Sequence, residues 1–538
     1  MAKNSHLYLS ALIACLTSAL FGYSVGFIGG LLVLPSFLEH FQLASLPTAL
    51  LAAAQARIVT VWLVGALFGV PLGMPICSRW GRKPCLLFSA TLYVLGTFLQ
   101  IYGGGLEIFE LGRLINGLGV GAGTLVSPMY ISEISPPAQR GMLMSGYQTV
   151  LQLSALVGFW GAFVANALLP ATSSLQWQIP VAIQLLPGIL LLLGTFFVLP
   201  ETPRFLAERG DFGGVEKSLA WLRNAASGEA GLTAEIGEIK VAARAGEVLQ
   251  LRNVSFVREV MKKGIRKRLV VGVGLMIAQN MVGLNALNYY APVIFMSAGF
   301  TTVSSSLFLT GLFGVVKLLS AIAFMFFFVR MKGNRFWLIL GTTICGVSMI
   351  ILGMSLLLRI TTRWLNLSGN VTCCIMARLI LLTIAHFVRV LPKSEEASLT
   401  VGGVISVVMV YIFAFSFAVS LGPISWNICS EIFPLHINAK CCTITTCTQW
   451  LFQILIAYIT PRLLASVGWA TYLIYAGFCL VTLIWVIFCV PETRGVPLGK
   501  AMDTVFGEKE GDEEDVEEVE TTPLLGDRIR RGSAVSYS

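Results

Sequence analysis

Apolar residues recur along the chain in runs of about 20 residues, the length that an α-helix needs to cross a membrane's hydrocarbon core. The 538-residue chain contains twelve such runs, separated by short polar connections. They predict spans near 9–33, 58–77, 86–103, 111–132, 143–168, 180–199, 269–295, 304–329, 336–358, 403–428, 443–465 and 470–490. We therefore predict an all-α membrane protein with twelve transmembrane helices.

Composition and charge placement support this class. The chain is 56% hydrophobic and only 12% charged, whereas a soluble protein of this length needs more charge on its surface. Basic residues crowd the connections at 78–83 and 262–268, while those at 34–50 and 103–110 contain no Lys or Arg. Because positively charged connections stay in the cytosol, we expect both termini there. The net charge of +9 thus reflects topology rather than nucleic-acid binding.

Short motifs repeat between the two halves of the chain. The paired segments are "MYISEISP" (129–136) with "NICSEIFP" (427–434), "LPETPRF" (199–205) with "VPETRG" (490–495), and, more weakly, "SRWGRK" (78–83) with "RMKGNR" (330–335). Each pair matches in its place relative to the predicted spans, so the pattern indicates two six-span halves. Parallel repeats of this kind place a substrate site near the membrane midplane, between the halves.

The repeat predicts four regions. A first six-helix bundle occupies 1–199, a cytosolic helical linker 200–268, a second six-helix bundle 269–494, and a cytosolic tail 495–538. The tail contains the acidic run "EKEGDEEDVEEVE", which is too charged to bury an apolar face, so we expect it to be mostly disordered.

One apolar run does not fit the repeat. It lies within an atypical insert near 361–400 and contains Arg378, His386 and Arg389, which suit a lipid-exposed span poorly. If it crossed the membrane, everything after it would be inverted. The alternatives are an extracellular, interfacial or poorly packed insert, favoured by glycosylation patterns at Asn366 and Asn370, and a gene-model error that translates an intron.

Five motifs then occur in a set order: "GRLINGLGVGAGTLVSPMYISEISPPAQRG", "PETPRF", "QNMVGLNALNYYAPVIF", "SEIFP" and "PETRG". Over about 7–505 the chain resembles the sugar porters of the major facilitator superfamily. Within that family, "ALNYYAPVIF" and "GVVK" are most similar to fungal permeases for quinate and related sugar acids. The resemblance implies a major facilitator fold, in which two pseudo-symmetric six-helix bundles rock around a central site, and a place in the plasma membrane.

The resemblance also implies a set of substrate-binding residues: Gln148, Gln279, Asn280, Asn285, Trp426 and Gln449. Amides donate and accept hydrogen bonds, as polyol hydroxyls do, and an indole face covers the apolar side of a ring. The alternative is that buried amides only join helices to one another. For Tyr289 and Tyr290, packing and extracellular gating are equally open.

Two departures from the family pattern concern coupling and gating. Proton-coupled members have "FGYD" in the first span, where the aspartate pairs with the arginine at Arg113; here the sequence is "FGYS", with Ser24. Facilitated diffusion and coupling through another acid, such as Glu133, both stay open. The resemblance also implies that motifs on the cytosolic side tether the bundles, through residues such as Arg79, Arg82 and Glu431. Their eroded second copy predicts a looser inward gate.

A single lysine, Lys317, lies near the middle of the eighth predicted span. About ten helical residues on either side measure about 15 Å, too far for the side chain to reach the membrane surface. Burial in lipid would cost about 3 kcal/mol or more, so we expect it to face the cavity. It could instead pair with a neighbouring helix or be neutral. Because the spans contain almost no acids near the midplane, a substrate carboxylate is the simplest partner, which favours quinate, galacturonate or a similar sugar acid.

Two further functions remain as alternatives: a neutral hexose transporter, either a facilitator or a proton symporter, and a nutrient sensor built on a transporter fold. The sequence has no phosphate-binding loop, metal-ligand cluster or nucleophile motif, so we expect no enzyme activity and no cofactor. The expected partners are a small polyol or sugar acid, the lipid bilayer and, in a coupled mechanism, protons; no nucleic acid is expected.

Overall fold

The computed structural model describes residues 5–102, 104–225, 229–251, 256–297, 303–367, 401–434, 437–494 and 506. Within this part of the chain, twelve helices are long and apolar enough to cross a membrane, and each coincides with a predicted span. The prediction of an all-helical protein with twelve spans is therefore confirmed. Most of the predicted insert and nearly all of the tail lie outside the described residues.

The first half of the described chain contains eight helices, seven of which form the first six spans. Their bounds are α1 Ser5–Leu31, α2 Pro35–His40, α3 Thr48–Arg79, α4 Arg82–Tyr102, α5 Leu106–Ile134, α6 Pro137–Leu168, α7 Leu175–Ile183 and α8 Leu185–Phe197. The short α2 connects the first two spans, and α7 and α8 together form the sixth. Four helices follow before the seventh span: α9 Pro203–Glu208, α10 Phe212–Arg223, α11 Ala230–Leu251 and α12 Phe256–Val260. We call the end of the protein that carries these four helices the linker side.

The last six spans are built from nine helices. Their bounds are α13 Lys263–Met281, α14 Leu284–Ser297, α15 Val303–Ala323, α16 Val329–Met331, α17 Asn334–Leu367, α18 Val401–Ala418, α19 Leu421–Glu431, α20 Asn438–Ser466 and α21 Ala470–Cys489. A π-helical stretch, Phe324–Phe328, joins α15 to α16 within the eighth span. The seventh span combines α13 with α14, and the tenth combines α18 with α19.

Glycines four residues apart allow spans of the first half to pack backbone against backbone. In the first span, a side chain at Gly22 or Gly26 would overlap carbonyl oxygens of the fifth span. Between the second and fourth spans, Gly69 and Gly121 approach the opposite backbone in the same way. Small residues at this spacing are a common means of close helix contact in membranes, where lipid gives helices no hydrophobic reason to associate.

Two broken spans bring side chains to the centre of the protein. The seventh span breaks between α13 and α14 at Gly283, whose φ of +98° favours glycine. A side chain there would also lie against the ring of Tyr475, 2.8 Å from its nearest atom. The tenth span breaks at Val419 and Ser420, between α18 and α19. Interrupted spans are tolerated where the backbone is buried in protein or lines a cavity, and here both breaks lie beside the central cavity.

The two sets of six spans meet mainly where the second span packs against the eleventh, the fifth against the eighth, and the first against the seventh. Trp450 of the eleventh span packs against Phe21 and Trp62, with ring centroids 5.0 and 5.6 Å away. Its indole nitrogen donates a hydrogen bond to the Thr124 hydroxyl, at 3.2 Å. This aromatic cluster closes the interface beside the cavity.

Candidate substrate site

A central cavity lies between the two sets of spans, with about 500 Å³ of empty space including its open part. The first, fifth, seventh, eighth, tenth and eleventh spans all contribute to its wall. Its polar lining consists of six amides and one lysine: Gln148, Gln152, Gln279, Asn285, Asn288, Gln449 and Lys317. Trp426, Phe21 and Phe417 supply aromatic surface. The cavity therefore combines amides, rings and a single cation.

All but one of the predicted binding residues line this cavity: Gln148, Gln279, Asn285, Lys317, Trp426 and Gln449. Asn280 departs from the prediction, because it lies behind the wall and is fully buried. Its amide nitrogen donates to Gln449 Oε1 at 2.6 Å, and its oxygen accepts from the Asn285 amide at 2.6 Å. These bonds occupy Asn280, so it holds two lining residues in place rather than facing the cavity.

Three amide oxygens on the wall accept no hydrogen bond from any described residue: Gln148 Oε1, Gln152 Oε1 and Gln279 Oε1. A buried polar atom without a partner costs about 1–3 kcal/mol. Only a hydrogen-bond donor can satisfy a carbonyl oxygen, and a hydroxyl group is such a donor. The wall thus suits a ligand that presents several hydroxyls in different directions.

Trp426 forms an apolar part of the wall in the broken tenth span. Only 5% of its surface is exposed, and its ring lies 6.1 Å from that of Tyr147 in the fifth span, at 46°. Packing against Tyr147 holds the indole in place across the interface between the halves. One indole surface can therefore cover a ligand ring while the amides reach its hydroxyls.

Lys317 lies in the wall of the cavity and is only 2% exposed. Its ammonium donates a hydrogen bond to Asn288 Oδ1 at 2.9 Å and lies 5.2 Å from the centre of the Phe313 ring. Within the described part of the chain, no carboxylate lies within ion-pair distance of Lys317 Nζ. The neighbour that it binds is therefore a neutral amide, and its positive charge is not balanced by a described acid.

Arg113 is completely buried but does not line the cavity. None of its three guanidinium nitrogens has a hydrogen-bond partner among the described residues, and the group packs over the rings of Phe27 and Trp62, at 5.7 and 5.2 Å. The Ser24 hydroxyl lies 3.2 Å from the Tyr93 hydroxyl and does not hydrogen-bond to Arg113. The acid–arginine pair that proton-coupled members form at these two positions is therefore not present here.

The two tyrosines after the break in the seventh span bind the eleventh span. Tyr289 OH accepts a hydrogen bond from Gln453 Nε2 at 2.6 Å, and Tyr290 OH donates to the Ala457 carbonyl at 3.0 Å. Neither tyrosine lines the cavity. Both side chains thus join the seventh span to the eleventh in this structure, and extracellular gating stays a prediction for both.

On the linker side, the first half contains a buried ion pair. Arg82 and Glu133 are in contact at 2.8 Å, and their side chains are only 6% and 5% exposed. Thr202 donates a hydrogen bond to the second Glu133 oxygen at 2.6 Å. Together these residues connect the third span, the end of the fourth span and the start of the linker.

The neighbouring Glu201 binds the backbone of the same turn. Its carboxylate accepts from the backbone N–H groups of Arg82 and Lys83, at 2.9 and 3.1 Å. Burial raises the pKa of Glu201 above its ordinary value, although these N–H groups oppose the shift. The Arg79 side chain, in contrast, is exposed. The backbone carbonyl of Arg79 accepts a hydrogen bond from the Arg209 side chain.

The second half repeats the backbone part of this arrangement without the ion pair. Glu492 accepts from the backbone N–H groups of Asn334 and Arg335, at 2.9 and 3.1 Å, as Glu201 does in the first half. Asn334 occupies the position of Arg82, and among the described residues its side-chain amide donates only to the Thr493 hydroxyl, at 3.1 Å. Glu431, the counterpart of Glu133, makes no hydrogen bond or ion pair with any described residue.

Two lining residues, Gln152 and Asn288, were missed from the sequence. Gln152 follows Gln148 by four residues in one helix, a spacing that places both on the same face. Asn288 follows Asn285 by three residues and therefore shares its face as well. Helical spacing from the predicted binding residues was thus the signal that could have found them. Among the described residues, no group of three or more His, Cys, Asp or Glu is placed to hold a metal ion.

Comparison with known families gives a match over most of the chain. The family model described as "Sugar (and other) transporter" matches residues 10–393 and 359–506. A probable quinate permease of Aspergillus niger is 34% identical over 516 residues, covering 94% of this chain and 88% of the relative. A quinate permease of Emericella nidulans is 32% identical over 520 residues, covering 94% and 89%.

Solved structures show the same fold. The proton:xylose symporter XylE, a major facilitator superfamily protein bound to 6-bromo-6-deoxy-D-glucose, matches with a TM-score of 0.73 at 24% identity, over 93% of this chain and 99% of the symporter. An inward open structure of XylE from E. coli matches with a TM-score of 0.65 at 24% identity, over 93% and 99%. The predicted major facilitator fold is thereby confirmed. This chain belongs to the sugar porter family of the major facilitator superfamily.

Proposed function

We propose that this sugar porter carries an anionic polyol, such as quinate or galacturonate, across the plasma membrane by alternating access. The proposal rests mainly on Lys317. This buried cation lies in the wall of the central cavity, and its hydrogen-bond partner is a neutral amide. The names of the permeases that resemble this chain over 94% of its length agree with a substrate of this class.

Burying a charge without a counter-charge is costly. Translocon scales give about 3 kcal/mol for a lysine at the centre of a span. Among the described residues, no acid offsets this cost for Lys317. A substrate carboxylate that enters the cavity brings the missing negative charge, so binding of an acid gains a charge-assisted hydrogen bond that a hexose cannot form.

The rest of the cavity fits the polyol part of such a substrate. The oxygens of Gln148, Gln152 and Gln279 accept no hydrogen bond from described residues and can receive bonds from hydroxyls. Trp426 offers an indole surface for the ring. These features suit a neutral hexose equally well, so among the binding residues predicted from the sequence Lys317 is the one that separates the two substrate classes.

Topology and coupling complete the proposal. The distribution of basic connections supports two bundles, at 1–199 and 269–494, with the linker 200–268, the tail 495–538 and both termini in the cytosol. The first-span position that holds a coupling aspartate in proton-coupled relatives is Ser24, so we propose that protons are not coupled through this residue. Gating belongs to the linker-side network around Arg82 and Glu133.

The decisive experiment is uptake by cells that express this chain, comparing labelled quinate and galacturonate with labelled hexoses across a range of pH. Lys317→Gln removes the charge, and we expect it to abolish acid uptake at unchanged surface expression, because breaking a buried charge pair costs about 3–5 kcal/mol. Lys217→Gln is the matched control, since Lys217 is exposed on the linker and outside both the cavity and the gating motifs. Normal acid uptake by Lys317→Gln, or a wild type that prefers hexoses, would contradict the proposal.

A further inference from the structure

We infer that Asn288 and Lys317 form one carboxylate clamp and that Asn288 sets the charge specificity of the cavity; this inference rests on the proposed function. The two residues come from the seventh and eighth spans, and both line the cavity. The bond from Lys317 Nζ to Asn288 Oδ1, at 2.9 Å, makes them one unit.

The clamp has donors to spare on both residues. A lysine ammonium carries three N–H donors, and Asn288 engages one of them. The amide nitrogen of Asn288 carries two more N–H donors. Neither of these amide donors makes a hydrogen bond within the described part of the chain. The two oxygens of a carboxylate can accept from adjacent donor groups, one on each residue. A hydroxyl is a weaker match because it carries no charge.

The neutrality of Asn288 is the feature that selects an anion. The amide oxygen fixes the ammonium in the cavity wall but leaves its charge uncompensated. An aspartate has almost the same shape and can accept the same bond, yet it would balance the lysine and take away the amide donors. The cavity would then hold an internal ion pair in place of a net positive charge. We therefore expect the residue at position 288 to decide whether an acid or its neutral analogue is preferred.

The test compares wild type with Asn288→Asp in cells, with labelled quinate and galacturonate, each beside its own methyl ester. The ester keeps the ring and its hydroxyls but lacks the charge. For Asn288→Asp we expect KM for the acid to rise about 10- to 100-fold, the usual range for losing a hydrogen bond to a charged group. Uptake of the ester should be unchanged or improved, so the preference should be reversed.

Two further variants make the outcome independent of folding. Asn224→Asp makes the same chemical change at an exposed position of the linker, outside the cavity, and should leave both KM values unchanged. Asn288→Ala removes the acceptor and the amide donors but leaves the charge of Lys317. It should raise KM for the acid at least threefold while the acid remains preferred over its ester. This result decides the question if Asn288→Asp fails to reach the surface.

The inference and the proposed function fail in different ways. If wild type does not prefer either acid over its ester, the proposed function fails and the clamp with it. If wild type prefers the acid, but Asn288→Asp and Asn288→Ala keep its KM and its preference, the clamp alone is overturned. A loss of acid and ester uptake to the same extent in both variants, at normal surface expression, would assign Asn288 to general packing and would also overturn the inference.

Discussion

The same substitution on the linker side should have unequal effects in the two halves of the protein. Glu133→Gln removes the negative charge from a buried pair with Arg82, at 2.8 Å. Glu431→Gln makes the identical change at the equivalent position of the second half. There Asn334 replaces the arginine, and no described residue forms an ion pair with the glutamate. The two variants thus make the same change at equivalent positions, one with an ion-pair contact and one without such a contact among the described residues.

The expected magnitude follows from burial. Side chains of Arg82 and Glu133 are 6% and 5% exposed, so removing the Glu133 charge breaks a buried pair and leaves Arg82 with Glu208, a more exposed acid at 3.6 Å. We therefore expect a cost toward the lower end of about 3–5 kcal/mol. Thr202 loses its charged acceptor in the same variant. For Glu431, the Arg140 guanidinium acts on the carboxylate without an ion-pair contact. Removing the Glu431 charge should therefore cost roughly 1 kcal/mol or less, as for a weak ion pair.

The assay is thermal unfolding of the purified protein in detergent without substrate. For a unit of 150–250 residues, each kcal/mol shifts the midpoint by roughly 2–4 °C. Glu133→Gln should therefore lower it by roughly 6–20 °C, and Glu431→Gln by no more than about 4 °C. Asn334→Arg, which restores the missing cation, should make the midpoint sensitive to Glu431→Gln. Equal shifts for the two glutamine variants would refute the reasoning, because burial and pairing would then not decide the cost.

Three further changes test other parts of the protein. Ser24→Asp should introduce or strengthen a pH dependence of uptake, measured as the ratio of rates at acid and neutral pH; a strongly proton-coupled wild type that depends on Ser24 itself would contradict this. Trp426→Ala should raise KM roughly tenfold for acids and neutral analogues alike, since an aromatic face supplies about 0.5–1.5 kcal/mol beyond its buried area, and an effect on acids alone would speak against a ring contact. The tail segment "ETTPLL" (520–525) matches an acidic dileucine sorting pattern. Truncation after Gly507, or Leu524→Ala with Leu525→Ala, should therefore slow removal from the cell surface and leave the transport rate per surface molecule unchanged. A truncated protein that reaches the surface but does not transport would assign the tail to the gate.

The architecture could be predicted because membrane spans leave a strong signal in the sequence. Each span needs about 20 apolar residues, and all twelve predicted runs proved to be helices. Helix ends were less predictable, since the second span begins at Leu50 rather than near residue 58. Those first two turns or so, "LLAAAQAR" (50–57), are less apolar. They include Gln55 and Arg57, which bind the Leu32 carbonyl and Glu110. Polar residues at a helix end are satisfied by such contacts, which hydropathy does not reveal.

The candidate site could be predicted only as a set of residues and not as an arrangement. Family motifs named Asn280 and Asn285 together, but the break at Gly283 turns the helix between them. As a result, Asn285 faces the cavity while Asn280 lies behind it and binds Gln449. A backbone break of this kind depends on packing against Tyr475 of the twelfth span, so local sequence alone does not determine which amide faces the ligand.

The two buried cations, Lys317 and Arg113, have different roles once their surroundings are known. In the sequence, neither Lys317 nor Arg113 has an obvious internal acid, so both are buried cations that an anionic substrate could sense. In the structure only Lys317 lines the cavity, whereas Arg113 lies among aromatic rings outside it. Arg113 can therefore attract an anion only through its field, which weakens with distance, while Lys317 can bind a carboxylate directly. Lys317→Gln should thus change which substrate is preferred, and neutralising Arg113 should change the uptake of every anion to a smaller and similar extent.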